Sequence, residues 1–410
     1  MTALLALVIV IVLVALIFDY INGFHDAANS VATIVATRVL TPFQAVVWAA
    51  VFNFVAALPL LFSAEAGVAQ TVGANLVNLT YVTPIVILAG LLGAIAWNLF
   101  TWYYGIPSSS SHALIGGYAG AVMCKVVMLE GFANMFKGIK IDGWIETTKF
   151  IVLAPVMGFV LAYILMAIVY WMFRHSTPNK MDRWFRRLQL LSSALFSYAH
   201  GSNDAQKTVG IITGVLVSAG YLDHFQVKGW VILCAFGAIA MGTMTGGWRI
   251  VHTMGSRLTR LKPRGGFCAE TAGAIAILFP TYLHIPVSTT HVITGAIAGV
   301  GSVNRALYDV GRILGANNRW LVLKVAIPAS LPHVFVGLFM GLYYSFAVLV
   351  VAEMLGAKYG LGWYVQFQSS YSAYANVYAA LVIMALLCAG LVKLLFVVRD
   401  RLLRWQKGFI

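Results

Sequence analysis

The stretch FDYINGFHDAANSVATI, from Phe18 to Ile34, returns in the second half of the chain as FSYAHGSNDAQKTVGII, from Phe196 to Ile212. A second pair follows the same pattern: IPSSSSH begins at Ile106 and IPVSTTH begins at Ile285. The first pair is separated by 178 residues and the second by 179. The two shifts differ by only one residue. This predicts that the whole half is duplicated, as in transporters built from two repeats.

The composition places this chain in a membrane. Of its 410 residues, 61% are hydrophobic and only 10% are charged, far outside the range of soluble globular proteins. Several apolar runs reach the roughly 20 residues that span a bilayer as helix. Such uninterrupted runs exclude barrel strands. We therefore predict an all-α polytopic membrane protein with about 10–12 transmembrane segments, embedded in the lipid bilayer of the plasma membrane.

The basic residues report topology rather than nucleic-acid binding. The net charge is +14, but the lysines and arginines cluster in short segments between apolar runs. If those clusters are cytoplasmic, Met1 lies outside and the two repeats begin on opposite sides. This predicts inverted-topology repeats, with discontinuous helices meeting at a site near the midplane. The predicted divisions are a first repeat at 1–173, a basic cytoplasmic connecting loop at 174–188, and a second repeat with additional C-terminal spans at 189–410.

Three carboxylates stand inside otherwise apolar sequence: Asp26, Asp204 and Glu270. A carboxylate at membrane depth is costly unless it is paired, hydrated or protonated, so these residues predict an ion or proton site. The alternative is structural, since Asp26 and Asp204 each follow a glycine-containing turn of sequence and would serve as N-caps of half-helices. Both roles are compatible.

The two Ser/Thr clusters, Ser108–Ser111 and Ser288–Thr290, each follow Ile-Pro and precede a histidine. Proline favours the start of a helix, and the hydroxyls with the free N–H groups of the first turn form an anion site. Two such helix starts facing each other suit a tetrahedral oxyanion. The alternative is that these residues serve close helix packing.

Histidine and lysine add candidate proton and anion groups. His112 and His291 close the two Ser/Thr clusters, and they are candidate proton relays or hydrogen-bonding residues. Lys207 lies one helical turn after Asp204, at the position that Asn29 occupies in the first copy. It is expected to pair with a carboxylate, to contact the anion, or to extend away along the helix.

The repeated motifs resemble those of a known protein family. GFHDAANSVAT with GSNDAQKTVG, and IPSSSSHALIGG with IPVSTTHVITG, resemble the PiT family of inorganic phosphate transporters over nearly the full chain, and most of all its bacterial low-affinity phosphate permeases. The family's Gly-x-Asn-Asp motif is kept at Gly201, Asn203 and Asp204, whereas the first copy has His25 in the asparagine position. The resemblance implies a secondary symporter of inorganic phosphate in the bacterial inner membrane, and no enzyme activity.

The resemblance also implies a set of site residues. Asp26, Asp204, Glu270, Ser109 and Ser288 match family positions that matter for transport. The expected phosphate-binding residues are Ser109, Ser110, Ser288, Thr289, Thr290, Asn29, Asn203 and Lys207. The expected ion-coupling residues are Asp26, Asp204, Glu270, His25 and Asn53.

The coupling ion depends on a second departure. Sodium-dependent members carry a glutamate where this chain has Asn53, and sodium prefers carboxylate and carbonyl oxygens. We therefore expect co-transported H⁺, with Na⁺ as the alternative. Two carboxylates would repel divalent phosphate unless a proton or a metal ion intervenes. We also expect a divalent cation, such as Mg²⁺, to be complexed with phosphate. It would bridge the phosphate to Asp26 and Asp204.

Other functions remain open at this point. Sulfate is also tetrahedral, so a sulfate permease of the same family is the nearest rival, and a channel is another. An intramembrane phosphotransfer enzyme using His112 or His291 is disfavoured, because the sequence has no Walker-type loop or large soluble domain. No resident cofactor and no nucleic-acid partner are expected, and a homo-oligomer is left open.

Overall fold

The computed structural model describes residues 2–63, 66–173, 176–254, 261–301, 315–316 and 359–404 continuously, with separate short stretches between 328 and 354. The apolar run from Pro328 to Val351, one of those long enough to span a bilayer, therefore lies largely outside the described residues. Within the described part the protein is helical, apart from one isolated bridge between Val77 and Ile139. The all-α prediction is confirmed.

The helices follow in chain order. They are α1 (Thr2–Ala36), α2 (Pro42–Val55), α3 (Ala57–Ser63), α4 (Gly67–Gln70), α5 (Pro84–Tyr103), α6 (Ser110–Glu130), α7 (Ile141–Met172), α8 (Pro178–Ser218), α9 (Gly229–Thr245), α10 (Trp248–His252), α11 (Pro263–Tyr282), α12 (Thr289–Gly301), α13 (Leu361–Ser370) and α14 (Tyr374–Leu402). Among the described residues, six helices are long and apolar enough to cross a membrane. This is a multi-pass membrane protein.

Both Asp motifs lie inside long, continuous helices. Asp26 belongs to the 35-residue α1, and Asp204 belongs to the 41-residue α8. At 1.5 Å per residue these helices extend about 52 Å and about 62 Å. The alternative that the two aspartates cap half-helices is therefore wrong, since their backbone hydrogen bonds continue on either side.

The basic segment 174–188 is mostly helix rather than the predicted loop. α8 already begins at Pro178, because proline at the first helical position has its φ preset and needs no hydrogen bond for the N–H that it lacks. Residues 174–175 lie outside the described residues.

The Ser/Thr motifs form the tips of two helical hairpins, α5–α6 and α11–α12. The first helix of each hairpin ends in a turn with positive φ, at Gly105 (65°) and at His284 (64°), which are equivalent positions in the two copies. The chain then runs extended through Ile-Pro before the second helix starts. The breaks between helices at the predicted site thus occur at the Ser/Thr motifs.

The long helix of each half of the sequence packs on a helix of the other half: α1 packs on α9, and α8 packs on α2. Glycines bring the backbones together at both contacts. A Cβ at Gly242 of α9 would lie 2.0 Å from the carbonyl oxygen of Tyr20, and one at Gly201 of α8 would lie 2.5 Å from that of Asn53. Small residues allow this approach where lipid supplies no hydrophobic force between helices.

The chain divides into two compact units, Met1–Val303 and Asn304–Ile410. The duplicated motifs all belong to the first unit. In the second, α13 and α14 pack through Val365, Ala380 and Met384. The repeat boundaries and the inverted orientation of the repeats stay predictions.

The glycine contact yields a stability prediction. Gly242→Ala should destabilise the protein by about 1–3 kcal/mol, because its methyl group forces α9 away from α1. Gly237→Ala, on the same helix, is the matched control: a Cβ there meets nothing within 4 Å, and alanine favours helix. Melting curves of the detergent-solubilised protein would measure both variants. Equal melting temperatures for the two would contradict the close approach of α1 and α9.

Candidate functional site

The hairpin tips are helix N-termini capped by serine, as the sequence predicts. Ser109 accepts a hydrogen bond from the backbone N–H of His112 at 3.1 Å. Ser288 accepts the equivalent bond from His291 at 3.3 Å. The other N–H groups of each first turn have no partner within their own helix, so each tip presents a partial positive charge.

The two tips meet. The Thr290 hydroxyl donates to the carbonyl oxygen of Ser108 at 3.0 Å, which joins the start of α12 to the start of α6. The rings of His112 and His291 lie beside each other, with centroids 5.1 Å apart and planes inclined by 36°. Because these histidines are equivalent in the two copies, they lie where the duplicated halves face each other.

Each Asp-motif helix reaches across to the hairpin of the other half. On α1, the Asn29 amide donates to Thr290 at 2.8 Å and to Thr289 at 3.3 Å. On α8, the Lys207 ammonium donates to the hydroxyl of Ser111. Asn29 is equivalent to Lys207, and Thr290 to Ser111, so the duplication repeats the same cross-contact with different chemistry.

Lys207 and Asp204 form a buried ion pair that touches both hairpins. The ammonium group, 1% exposed, donates to Asp204 and to the carbonyl oxygen of Val287 at 3.0 Å. Asp204 also accepts from the hydroxyls of Ser111 at 3.3 Å and Thr289 at 3.4 Å. Of the three expectations for Lys207, the structure shows the pairing with a carboxylate, that of Asp204.

The residue before each aspartate holds the first helix of its hairpin. Asn203 donates to the Thr281 hydroxyl on α11 at 2.7 Å and accepts from the backbone N–H of Val287 at 3.3 Å. His25 contacts the Thr101 hydroxyl on α5 through Nε2 at 3.0 Å. His25 therefore takes the scaffold role of Asn203 and adds a titratable ring.

His25 also contacts Asp26, since its other ring nitrogen, Nδ1, lies 2.8 Å from Asp26 Oδ1. In one tautomer Nδ1–H donates to the carboxylate, and Nε2 accepts from the Thr101 hydroxyl. In the other tautomer the Thr101 hydroxyl donates to the carbonyl oxygen of Trp97 at 3.0 Å and accepts from Nε2–H, and a proton on Nδ1 or on Asp26 would complete the contact. The pair is therefore a candidate proton site.

A second histidine lies beside Asp204. The amide of Asn53, which is fully buried, donates to Thr243 at 2.9 Å, and its oxygen lies 3.1 Å from His200 Nδ1. His200 Nδ1 is thus the donor, and the other ring nitrogen, Nε2, lies 3.3 Å from Asp204 Oδ2. His200 therefore links Asn53 to Asp204.

Asp26, His200 and Asp204 each offer a ligand atom, and the three atoms lie within 4.8 Å of one another. All three residues are buried. Two carboxylate oxygens and an imidazole nitrogen suit a divalent cation. The predicted pair Asp26 and Asp204 is thus brought together, and the structure adds His200 to it.

Glu270 lies in a different polar cluster, defined here as the Glu270 cluster: Glu270, Thr33, Gln189 and Ser192. Its carboxylate accepts from Thr33 at 2.6 Å, from Gln189 at 2.8 Å and from Ser192 at 2.5 Å. Within the described part of the chain, no hydrogen bond joins Glu270 to Asp26 or Asp204. The ion-coupling role of Glu270 stays a prediction.

Some buried polar groups that sequence reasoning missed adjoin these residues. Asp19 stands in the first quoted stretch, directly after the apolar run Thr2–Phe18, where the sequence alone suggests the end of a span, whereas α1 continues through it. Gln189 and Ser192 precede the second stretch, and only their contact with Glu270 distinguishes them. By contrast Ser110, which was predicted, is fully buried and its hydroxyl has no hydrogen-bond partner among the described residues.

Comparison with known proteins assigns the chain to a family. Residues 22–342 match the model of the phosphate transporter family. The chain belongs to this family. A probable low-affinity inorganic phosphate transporter of Rhizobium meliloti (strain 1021) is 54% identical over 300 residues, covering 73% of this chain and 86% of the relative. One of the same description from Bacillus subtilis (strain 168) is 45% identical over 309 residues, covering 74% and 89%.

A solved structure shares the fold. The chain titled "The sodium-dependent phosphate transporter" superposes with a TM-score of 0.64 at 22% sequence identity, covering 79% of this chain and 96% of that one. The family membership confirms the resemblance stated from the motifs, and it makes this chain a transport protein rather than an enzyme.

The Glu270 cluster gives a prediction with a close control. Ser192→Ala removes a donor from a buried carboxylate, so it should cost about 1.5–3 kcal/mol of unfolding free energy. Ser193→Ala is the control, because that buried hydroxyl bonds only the carbonyl of Leu190 in its own helix, at 3.1 Å. Denaturant unfolding in detergent measures the difference. A Ser193 variant as unstable as the Ser192 variant would contradict an ionised Glu270 held by its donors.

Proposed function

We propose that this protein imports inorganic phosphate by proton-coupled symport across the bacterial inner membrane. The curated relatives are named as probable low-affinity inorganic phosphate transporters, and they cover most of this chain. The buried pair of His25 and Asp26 supports the choice of coupling ion, because its ring nitrogen and carboxylate oxygen lie 2.8 Å apart and can share a proton.

The paired hairpin tips support phosphate as the substrate. Two serine-capped helix N-termini meet there, and a helix N-terminus favours an anion through its free N–H groups. The unpaired Ser110 hydroxyl and the hydroxyls of Thr289 and Thr290 are further donors within the same region. Lys207 supplies positive charge beside them. We assign phosphate binding to these groups together with Ser109, Ser288, Asn29 and Asn203.

Charge balance supports protons over sodium. Phosphate approaching Asp26 and Asp204 would be repelled, and the repulsion grows as water is excluded. At Asp204 the Lys207 ammonium already supplies the compensating charge. At Asp26 a proton shared with His25 supplies it. Asn53 adds no carboxylate to this region, so a hard cation gains no further charged ligand.

A metal–phosphate complex is a second form of the substrate that the site accommodates. Asp26, His200 and Asp204 converge as a divalent-cation ligand set, and His200 Nε2 forms no hydrogen bond within the described part of the chain. A divalent cation carried with phosphate would neutralise the two carboxylates and take that nitrogen as a ligand. The cation would then be cargo, with Mg²⁺ as one candidate.

Alternating access would use the contacts between the tips. The bond of Thr290 to Ser108 and the contact of His112 with His291 join the two hairpins directly. Asn29 and Lys207 hold each hairpin to the long helix of the other half. Rocking of one half against the other would break and remake these contacts between the halves.

An uptake assay in proteoliposomes tests the coupling. With phosphate outside, an imposed inward proton gradient should drive accumulation above equilibrium, and a sodium gradient at fixed pH should not. Choline replaces sodium as the ionic control. Accumulation that follows the sodium gradient and ignores the proton gradient would overturn the proton assignment. Unlabelled sulfate should compete weakly; strong competition would favour a sulfate permease.

Asp26→Asn tests the shared proton. The amide would donate to His25 Nδ1 without any added proton, so the variant should fold but lose one proton from the transport cycle. Each coupled proton changes accumulation about tenfold per imposed pH unit. Asp223→Asn, an exposed carboxylate in the loop before α9, is the control. Accumulation equal to the wild type in Asp26→Asn would reduce Asp26 to a structural residue.

A further inference from the structure

Asp19 is a buried carboxylate that the proposed mechanism does not use. It lies on α1 two helical turns before Asp26, and it is 0% exposed. Neither of its oxygens has a hydrogen-bond partner among the described residues. An ionised carboxylate without donors or a counter-ion is strongly disfavoured inside a membrane protein.

Only neutral polar groups approach the Asp19 carboxylate. They are the hydroxyl of Thr208 on α8 and the amide of Asn22 one turn along α1. Neither completes a hydrogen bond to Asp19, and Thr208 Oγ1 and Asn22 Oδ1 also lack partners among the described residues. The carboxylate therefore lies among weak, neutral donors and beside a buried acceptor oxygen.

The charged groups that face Asp19 come from α8. They are Asp204 and Lys207, which neutralise each other in their ion pair. Of the other helices that contact α1, α2, α5 and α9 carry no Asp, Glu, Lys, Arg or His. The titratable and charged groups of the remaining helices in contact with α1 are His112, Lys125 and Glu130 of α6, Arg249 and His252 of α10, Arg264 and Glu270 of α11, and His291 of α12. Arg249 donates to the carbonyl of Tyr103 at 2.7 Å. Among the described residues, no cation is bonded to Asp19.

One added proton removes the buried charge. A protonated Asp19 gains an O–H, which can donate to Asn22 Oδ1 or to Thr208 Oγ1. The same proton therefore neutralises the carboxylate and satisfies a buried acceptor. When the proton leaves, Asp19 is again a buried carboxylate with no cation bonded to it.

The duplication shows that the fold does not require a carboxylate here. The position equivalent to Asp19 is Ser197, which is fully buried and satisfies itself by donating to the carbonyl of Ser193 at 2.8 Å. The second copy thus packs the same helix position without any titratable group. A purely structural need would be met in the same way in the first copy.

We propose that Asp19 is a second proton-binding site, which takes up and releases one of the protons transported with phosphate. This role of Asp19 rests on the proposed proton-coupled phosphate symport and adds a second proton site to it. The site lies along α1 from the shared proton of His25 and Asp26, and it faces the helix that carries Asp204 and Lys207.

The test separates proton-driven accumulation from phosphate exchange in proteoliposomes. Exchange of labelled for unlabelled phosphate at equal pH needs no net proton movement. Asp19→Asn and Asp19→Ser, the latter copying Ser197, should keep exchange within about twofold of the wild type. Both should accumulate about tenfold less phosphate per imposed pH unit, the contribution of one coupled proton. Asp223→Asn is the control and should match the wild type in both assays.

The outcomes distinguish this site from the proposed function. Wild type without proton-driven accumulation overturns both. Wild type with it, and Asp19→Asn with the same accumulation, overturns the Asp19 site alone. If Asp19→Asn and Asp19→Ser lose exchange as well, Asp19→Glu decides: a retained carboxyl should keep proton-driven accumulation with a shifted pH profile. An unchanged profile, or accumulation by Asp19→Glu that responds to sodium instead, overturns the proton site.

Discussion

The buried ammonium of Lys207 is the interaction on which the centre of this protein depends. A charge in so apolar an interior persists only with a counter-charge and hydrogen-bond acceptors around it. Lys207 finds them in Asp204 on its own helix, in Ser111 of the first hairpin and in the Val287 carbonyl of the second. The requirement to neutralise one charge therefore joins α8 to both hairpins, and it places Asp204 where the two tips meet.

Local chemistry explains which parts of this centre the sequence predicts. Ile-Pro followed by Ser or Thr starts a helix through effects that act within one turn, so the capped hairpin tips follow directly from the motif. The continuity of α1 and α8 through the Asp motifs does not, because a polar residue in an apolar run is equally compatible with a helix end. Tertiary packing on α9 and α2 decides that question.

The donors around Glu270 show the same limit. Gln189 and Ser192 lie some 80 residues from Glu270 in the chain, and no spacing rule connects them. Asp19 was missed for a related reason: its lack of partners is a property of the packed interior and leaves no trace in the sequence. The duplication could have drawn attention to it, since Ser197 stands in its place.

The two copies share a scaffold and differ in their protons. Each helix holds its hairpins through equivalent contacts, from Asn29 or Lys207 to one and from His25 or Asn203 to the other. The differences leave these contacts in place but change the charge or the titratable hydrogens. A fixed positive charge thus belongs to the second copy, whereas Asp26 and Asp19, the carboxylates that we propose take up a proton, belong to the first.

The buried carboxylates sort by their neighbours rather than by their depth. Glu270 accepts from three donors on α1 and α8. Asp204 is paired with an ammonium. Asp26 has a ring nitrogen of His25 beside it, and Asp19 has no hydrogen-bond partner among the described residues, so an added proton would satisfy either carboxylate. The neighbours of Asp26 and Asp19, rather than their depth, therefore distinguish them from the carboxylates that accept from several donors or pair with a cation.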